Sequence, residues 1–85
     1  MVITLNKKQF DYLNDSLLEK QELIKMRLQV IEESRHTLIE IDEDTADEIR
    51  DWANEELQRK GFDINYALTK EGEMLESLID IFHIE

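Results

Sequence analysis

No proline interrupts this chain, and only two glycines, Gly61 and Gly72, loosen it. Proline and glycine are the residues that most often end helices and turn strands. A sequence nearly free of them is expected to fold mainly into helices with few breaks. At 85 residues there is room for one modest core, and we read residues 1–85 as a single domain. Hydrophobic residues make up 41% of the chain, which argues against disorder even though 36% of residues are charged.

Local signals divide the chain into elements. Residues 2–5 (Val-Ile-Thr-Leu) are β-prone. Asn6 has the character of an N-cap, with Gln9 at capping-box distance. Phe10, Leu13 and Leu17 follow at i, i+3, i+7, the spacing of an amphipathic helix. Residues 22–33 read two ways. Ile24, Leu28 and Ile31 form one helical stripe and Leu23, Met26 and Val30 a second. Yet Ile24, Met26, Leu28 and Val30 also alternate with Lys25, Arg27 and Gln29, as in a strand. Helix formers dominate the composition there, so helix is the expectation and a hairpin strand the alternative.

Residues 37–41 read as a strand. A helix follows, started by Thr45 with Glu48 at capping-box spacing and burying Ala46, Ile49, Ala53 and Leu57. Arg59 and Lys60 close it, Gly61 fits a left-handed C′ position, and Phe62 is placed to touch Leu57. The alternating apolar residues Phe62, Ile64, Tyr66 and Leu68 suggest an extended connector across the core. Thr69 caps a last helix with the apolar face Met74, Leu75, Leu78, Ile79 and Phe82. Ile3-x-Leu5-Asn6 and Ile39-x-Ile41-Asp42 echo each other as strand-cap-helix units. The expected fold is therefore α+β and predominantly helical, with three to four helices and a short two-stranded β pairing of residues 2–5 with residues 37–41.

Charge is distributed unevenly. The net charge is −11, but residues 1–35 balance six bases against six acids, so the excess lies wholly in residues 36–85. Residues 40–56 alone hold nine acids and one base, Arg50. Direct binding to nucleic acid is disfavoured, because phosphate affinity comes mainly from Lys and Arg. At 100° per residue, Asp44, Asp47, Glu48, Asp51 and Glu55 gather within about a third of the helix circumference, opposite Ile49, Ala53 and Leu57. Five of the pairs among them stand three or four residues apart and together cost about 1–2.5 kcal/mol in repulsion. Stability alone would place a lysine among them. With Glu40 beside the row and Trp52 at its flank as contact area, these residues are the candidate partner-binding surface. A solvated, solubility-promoting face is the plainer reading of the same residues.

Chemistry for catalysis is not visible. His36 and His83 stand outside any motif, no zinc-ligand spacing occurs, and residues 42–47 lack the third ligand and turn glycine of a calcium loop. No catalytic residue, metal ligand or cofactor is expected. With no cysteine in the chain, no disulfides are expected. No apolar run approaches the roughly 18 residues of a membrane span. The N-terminal charge order is not that of a secretory signal. The expectation is a cytoplasmic protein without membrane or nucleic-acid contact.

Two segments carry resemblances. Tyr66-Ala67-Leu68-Thr69-Lys70-Glu71-Gly72-Glu73-Met74-Leu75 resembles the passage from wing to final helix in winged-helix regulators, but the basic recognition helix of that family has no counterpart here. Gly61-Phe62-Asp63, Asn65-Tyr66, Leu68-Thr69, Glu71-Gly72, Leu75-Glu76 and Leu78-Ile79-Asp80 resemble a run in small, uncharacterised bacterial immunity-type proteins. That likeness covers residues 61–80 and implies a shared fold more than a shared function. The leading functional expectation is an inhibitor of a basic protein, such as a nuclease or another nucleic-acid-binding enzyme. It would be either an immunity protein for a nuclease toxin or a phage anti-defence protein that mimics nucleic acid. The competing expectation is a structural or regulatory helical protein that forms a homodimer through residues 10–31, whose two apolar stripes exceed what one neighbour can cover.

Overall fold

The computed structural model describes residues 1–83. In chain order the elements are β1 (Val2–Asn6), α1 (Lys7–Leu13) running into a π-helical turn (Asn14–Leu18), α2 (Glu22–Met26), β2 (Gln29–Glu32), β3 (His36–Glu40), α3 (Glu43–Lys60) and α4 (Lys70–Ile81). The fold is α+β and predominantly helical. Its sheet has three antiparallel strands in the order β1-β3-β2, one more than the sequence suggested. The chain divides into two compact units, Met1–Thr45 and Ala46–Glu85, with the boundary inside α3.

In the first unit, β1 pairs with β3 so that Ile3 faces Ile39 and Leu5 faces Thr37. Cross-strand partners share a face, and all four of these residues are buried. The expected pairing is thus present, and the two strand-cap-helix segments do pair their strands. The Asn6 side chain accepts the Gln9 N–H at 2.8 Å while Gln9 accepts the Asn6 N–H at 3.0 Å, completing the capping box of α1. α1 packs on β1 and β3. After Leu13 the helix widens, and the Glu19 N–H reaches back five residues to the Asn14 carbonyl at 2.9 Å. Leu13, Leu17 and Leu18 are all buried. Two consecutive leucines face inward more easily when the turn opens to i→i+5.

Residues 22–33 are not one helix. Glu22–Met26 is a single helical segment and Gln29–Glu32 is a strand beside β3, with Val30 facing Ile39 and Ile31 facing Leu38. The helix expectation for this stretch holds for its first half and fails for its second. Val30 and Ile31 are β-branched, and β3 offers an unpaired edge that no single-segment signal reveals.

α3 starts earlier than expected. Asp42 precedes it and its carboxylate accepts both the Thr45 N–H, at 3.4 Å, and the Thr45 hydroxyl. Asp42 is therefore the cap, and Thr45 is a fully buried residue of the first turn.

In the second unit, Ala46, Ile49 and Ala53 of α3 and Leu75, Leu78 and Phe82 of the C-terminal stretch are fully buried. α3 and α4 run antiparallel: the Thr69 N–H and hydroxyl donate to the carbonyls of Gly61 (2.8 Å) and Lys60 (3.1 Å) at one end, and Arg50 Nη1 lies 3.3 Å from His83 Nδ1 at the other. Thr69 caps α4 as expected, accepting the Gly72 N–H at 2.9 Å.

Two expectations fail here. Gly61 is not left-handed, since none of the described glycines has positive φ. Nor does the connector cross the core. Phe62 bridges Leu68, and the residues between form a projecting hairpin with Ile64 92% and Tyr66 88% exposed. Asp63 builds it, its Oδ1 accepting the N–H groups of Asn65 (2.8 Å) and Ala67 (3.0 Å). Alternation of apolar residues suggests a half-buried strand, but here Asp63 supplies an Asx-type turn that ends the extended run after one bridge.

Candidate functional site

α3 is the longest element, 18 residues or about 27 Å at 1.5 Å per residue. One side of it is apolar and the other acidic, because Ala46, Ile49 and Ala53 repeat at helical spacing and the acids occupy the positions between. Asp44, Asp47, Glu48, Asp51 and Glu55 are all exposed. Trp52 is half-buried at the edge of the row. Glu40 ends β3 on the exposed face of the sheet, opposite Val2 and Gln29.

The acids differ in their surroundings. Asp47 is ion-paired with Arg50 at 3.3 Å, a pair one helical turn apart. Such an exposed pair is worth about 0–1 kcal/mol and leaves the carboxylate accessible. Glu48 and Trp52 also have interaction partners. Among the described residues, Asp44, Asp51 and Glu55 make no ion pair or side-chain hydrogen bond. Glu56 is different again. It lies toward the half-buried side and gathers both bases at the end of α3, Arg59 (3.3 Å) and Lys60 (3.0 Å), and Lys60 also reaches Glu71 of α4 at 4.0 Å.

Near the start of α3, Asp42 is held below the usual carboxylate range. The Thr45 hydroxyl is the main cause, the backbone N–H groups of Asp42 and Thr45 and the Arg27 guanidinium add to it, and burial opposes it. Arg27 Nη1 reaches the Thr45 hydroxyl at 3.4 Å. Nearby, a shallow open depression of about 360 Å³ is lined by Met1, Arg27, Gln29, Glu40, Ile41 and Asp42, a mixture of both charges. Its walls come from three separated segments, so no local pattern marks it.

Among the described residues no three His, Asp or Glu side chains gather as a metal site would need. Among them also, no helix is long and apolar enough to cross a membrane. What the acidic face can do chemically is present regularly spaced negative charge to something positive. No protein-family model, curated protein or solved structure matches the chain.

Proposed function

We infer that this chain is a non-enzymatic, acidic protein-binding inhibitor that docks on a basic partner through α3. It would act either as an immunity protein for a nuclease toxin or as a phage anti-defence protein that mimics nucleic acid. The observation that supports this reading is the row itself: five carboxylates exposed along one helix, three of them without ion pairs among the described residues. Like charges a turn apart cost about 0.2–0.5 kcal/mol per pair, so the row is maintained against stability. Acids repeating at each turn present a basic groove with negative charge at regular intervals, as a phosphate backbone does. Such a field speeds encounter and makes it salt-sensitive. Asp44, Asp47, Glu48, Asp51 and Glu55 supply the charge, Glu40 adds to it, and Trp52 supplies contact area.

Inhibition of this kind is stoichiometric and needs neither cofactor nor metal. The partner is a basic protein, with no direct contact to nucleic acid or membrane. We place the protein in the cytoplasm, where enzymes acting on nucleic acid are met.

Affinity capture from host lysate at low and high salt tests the reading. The comparison uses the wild-type chain and an Asp51→Lys, Glu55→Lys variant. A basic partner is expected with the wild type at low salt, lost at high salt and lost with the variant. Equal capture by the variant at low salt would remove the acidic row from the interface.

A further inference from the structure

Of the two apolar stripes in residues 22–33, the fold buries only the first two members of one, leaves its third, Ile31, 51% exposed, and leaves the other stripe outside. Ile24 and Leu28 are buried, whereas Leu23, Met26 and Val30 are 75%, 77% and 39% exposed. Beside this stripe runs β2, an edge strand whose side chains are all exposed. The Glu33 N–H donates to the His36 carbonyl at 2.9 Å, which sets the phase of the β2–β3 ladder. In an antiparallel ladder the bonded pairs alternate, so Gln29 and Ile31 bond toward β3 while Val30 and Glu32 turn their N–H and C=O groups to the outer edge. Such an edge is a template for a further strand.

Charge selects the strand that fits. Residues 20–35 carry Lys20, Lys25, Arg27 and Arg35 against Glu22, Glu32 and Glu33, so this stretch is nearly neutral in a chain of net charge −11. Two copies meeting through the acidic second half would bring like charges together; here they would not. The sign also changes along the edge, with Lys25 and Arg27 leading in and Glu32 and Glu33 leading out. An antiparallel meeting of two copies brings unlike ends together. With Val30 facing Val30 of the other copy, Gln29 falls opposite Ile31, and the Lys25–Arg27 end of each copy lies at the Glu32–Glu33 end of the other. A register that opposes Glu32 to Glu32 is penalised by its like charges.

We propose that β2 pairs antiparallel with β2 of a second copy in this register, joining the two three-stranded sheets into one. Leu23 and Met26, on the short helix that leads into the strand, add apolar area to the contact. The same patch serves both copies, so the contact closes as a two-fold dimer instead of growing into a fibre. It uses none of the acidic residues of α3.

The full-length chain tests this by light scattering after size exclusion across a wide concentration range. The mass is expected to rise from one chain of 10.2 kDa toward twice that value. A Leu23→Ser, Met26→Ser variant alters only exposed side chains and is expected to keep its circular dichroism spectrum and lower the dimer fraction. Because the chain has no cysteine, Val30→Cys introduces a unique thiol. Bonded partners in an antiparallel ladder have Cα atoms about 5.5 Å apart, within disulfide reach. Mild oxidation is expected to cross-link Val30→Cys and to leave Gln58→Cys, exposed on α3, uncross-linked. A monomer at every concentration overturns the proposal. So does a dimer in which Val30→Cys cross-links no better than Gln58→Cys.

Discussion

Gly61 and Gly72 meet backbone to backbone. A Cβ added to Gly72 would stand 2.8 Å from the Gly61 Cα and overlap its carbonyl oxygen, the same oxygen that accepts the Thr69 N–H. The two glycines of the chain thus serve one junction, where the start of α4 is drawn against the end of α3. Close approach, and not a left-handed turn, is what each provides: Gly72 against the Gly61 backbone, and Gly61 against Leu57 one turn back in α3.

Gly72→Ala is expected to lower stability by about 1–2 kcal/mol. Overpacking against backbone costs about 1–3 kcal/mol, and the better helix propensity of alanine returns at most about 1 kcal/mol. Urea unfolding of the two proteins checks it; an unchanged or raised midpoint would show that the helices can separate freely at this point.

Tyr66 is the only described non-glycine residue with positive φ, at 60°, and its side chain packs on little. Left-handed backbone costs an ordinary residue about 1–2 kcal/mol, and asparagine tolerates it better. Tyr66→Asn is expected to stabilise the fold by about 0.5–1 kcal/mol. Asp63→Ala acts in the opposite sense, and hydrogen exchange at the Asn65 and Ala67 amides is expected to accelerate once their acceptor is gone.

The Asp42–Thr45 cap sets a pH dependence whose sign is fixed. The folded value for Asp42 lies below its ordinary one, chiefly because of the Thr45 hydroxyl. Between those values the unfolded chain binds more protons than the folded one. The contribution is complete above the unfolded carboxylate value and is lost as pH falls through the folded value. Thr45→Val removes the main cause, so the Asp42 titration moves up toward its ordinary position and this part of the acid-side loss disappears. Titration of the Asp42 carboxyl by NMR, with unfolding measured at neutral and acid pH, follows both effects.

Asp51 faces Asp47, Glu48 and Glu55 at helical spacing. Asp51→Lys turns three repulsions into attractions and is expected to raise stability by about 1–2 kcal/mol at low salt, with the gain shrinking as salt is added. The same substitution is expected to weaken capture of a basic partner. A variant that loses both stability and binding would point to a structural role for Asp51 instead.

Much of this fold was legible because its signals are local. Asn6 with Gln9 and Thr69 with Gly72 each satisfy backbone donors within one turn, so the sequence window around them contains the whole interaction. The buried face of α3 follows from the spacing of Ala46, Ile49 and Ala53, and the exposed acidic face is its complement. Sequence alone therefore determined the helix starts at residues 7 and 70, the pairing of the first strand with the one before α3, and the side of α3 on which the carboxylates lie. It could not determine that Arg50 also lies against His83, 33 residues away in the chain. Other features were decided only by tertiary structure. Residues 29–32 became a strand because β3 presented an edge to them, and helix α1 widened because Leu17 and Leu18 both had to turn inward. Gly72 was chosen by the approach of α4 to Gly61, eleven residues earlier in the chain. In each case the deciding partner lies beyond the reach of local periodicity, and the free energy gained in meeting it exceeds the small differences between local conformations.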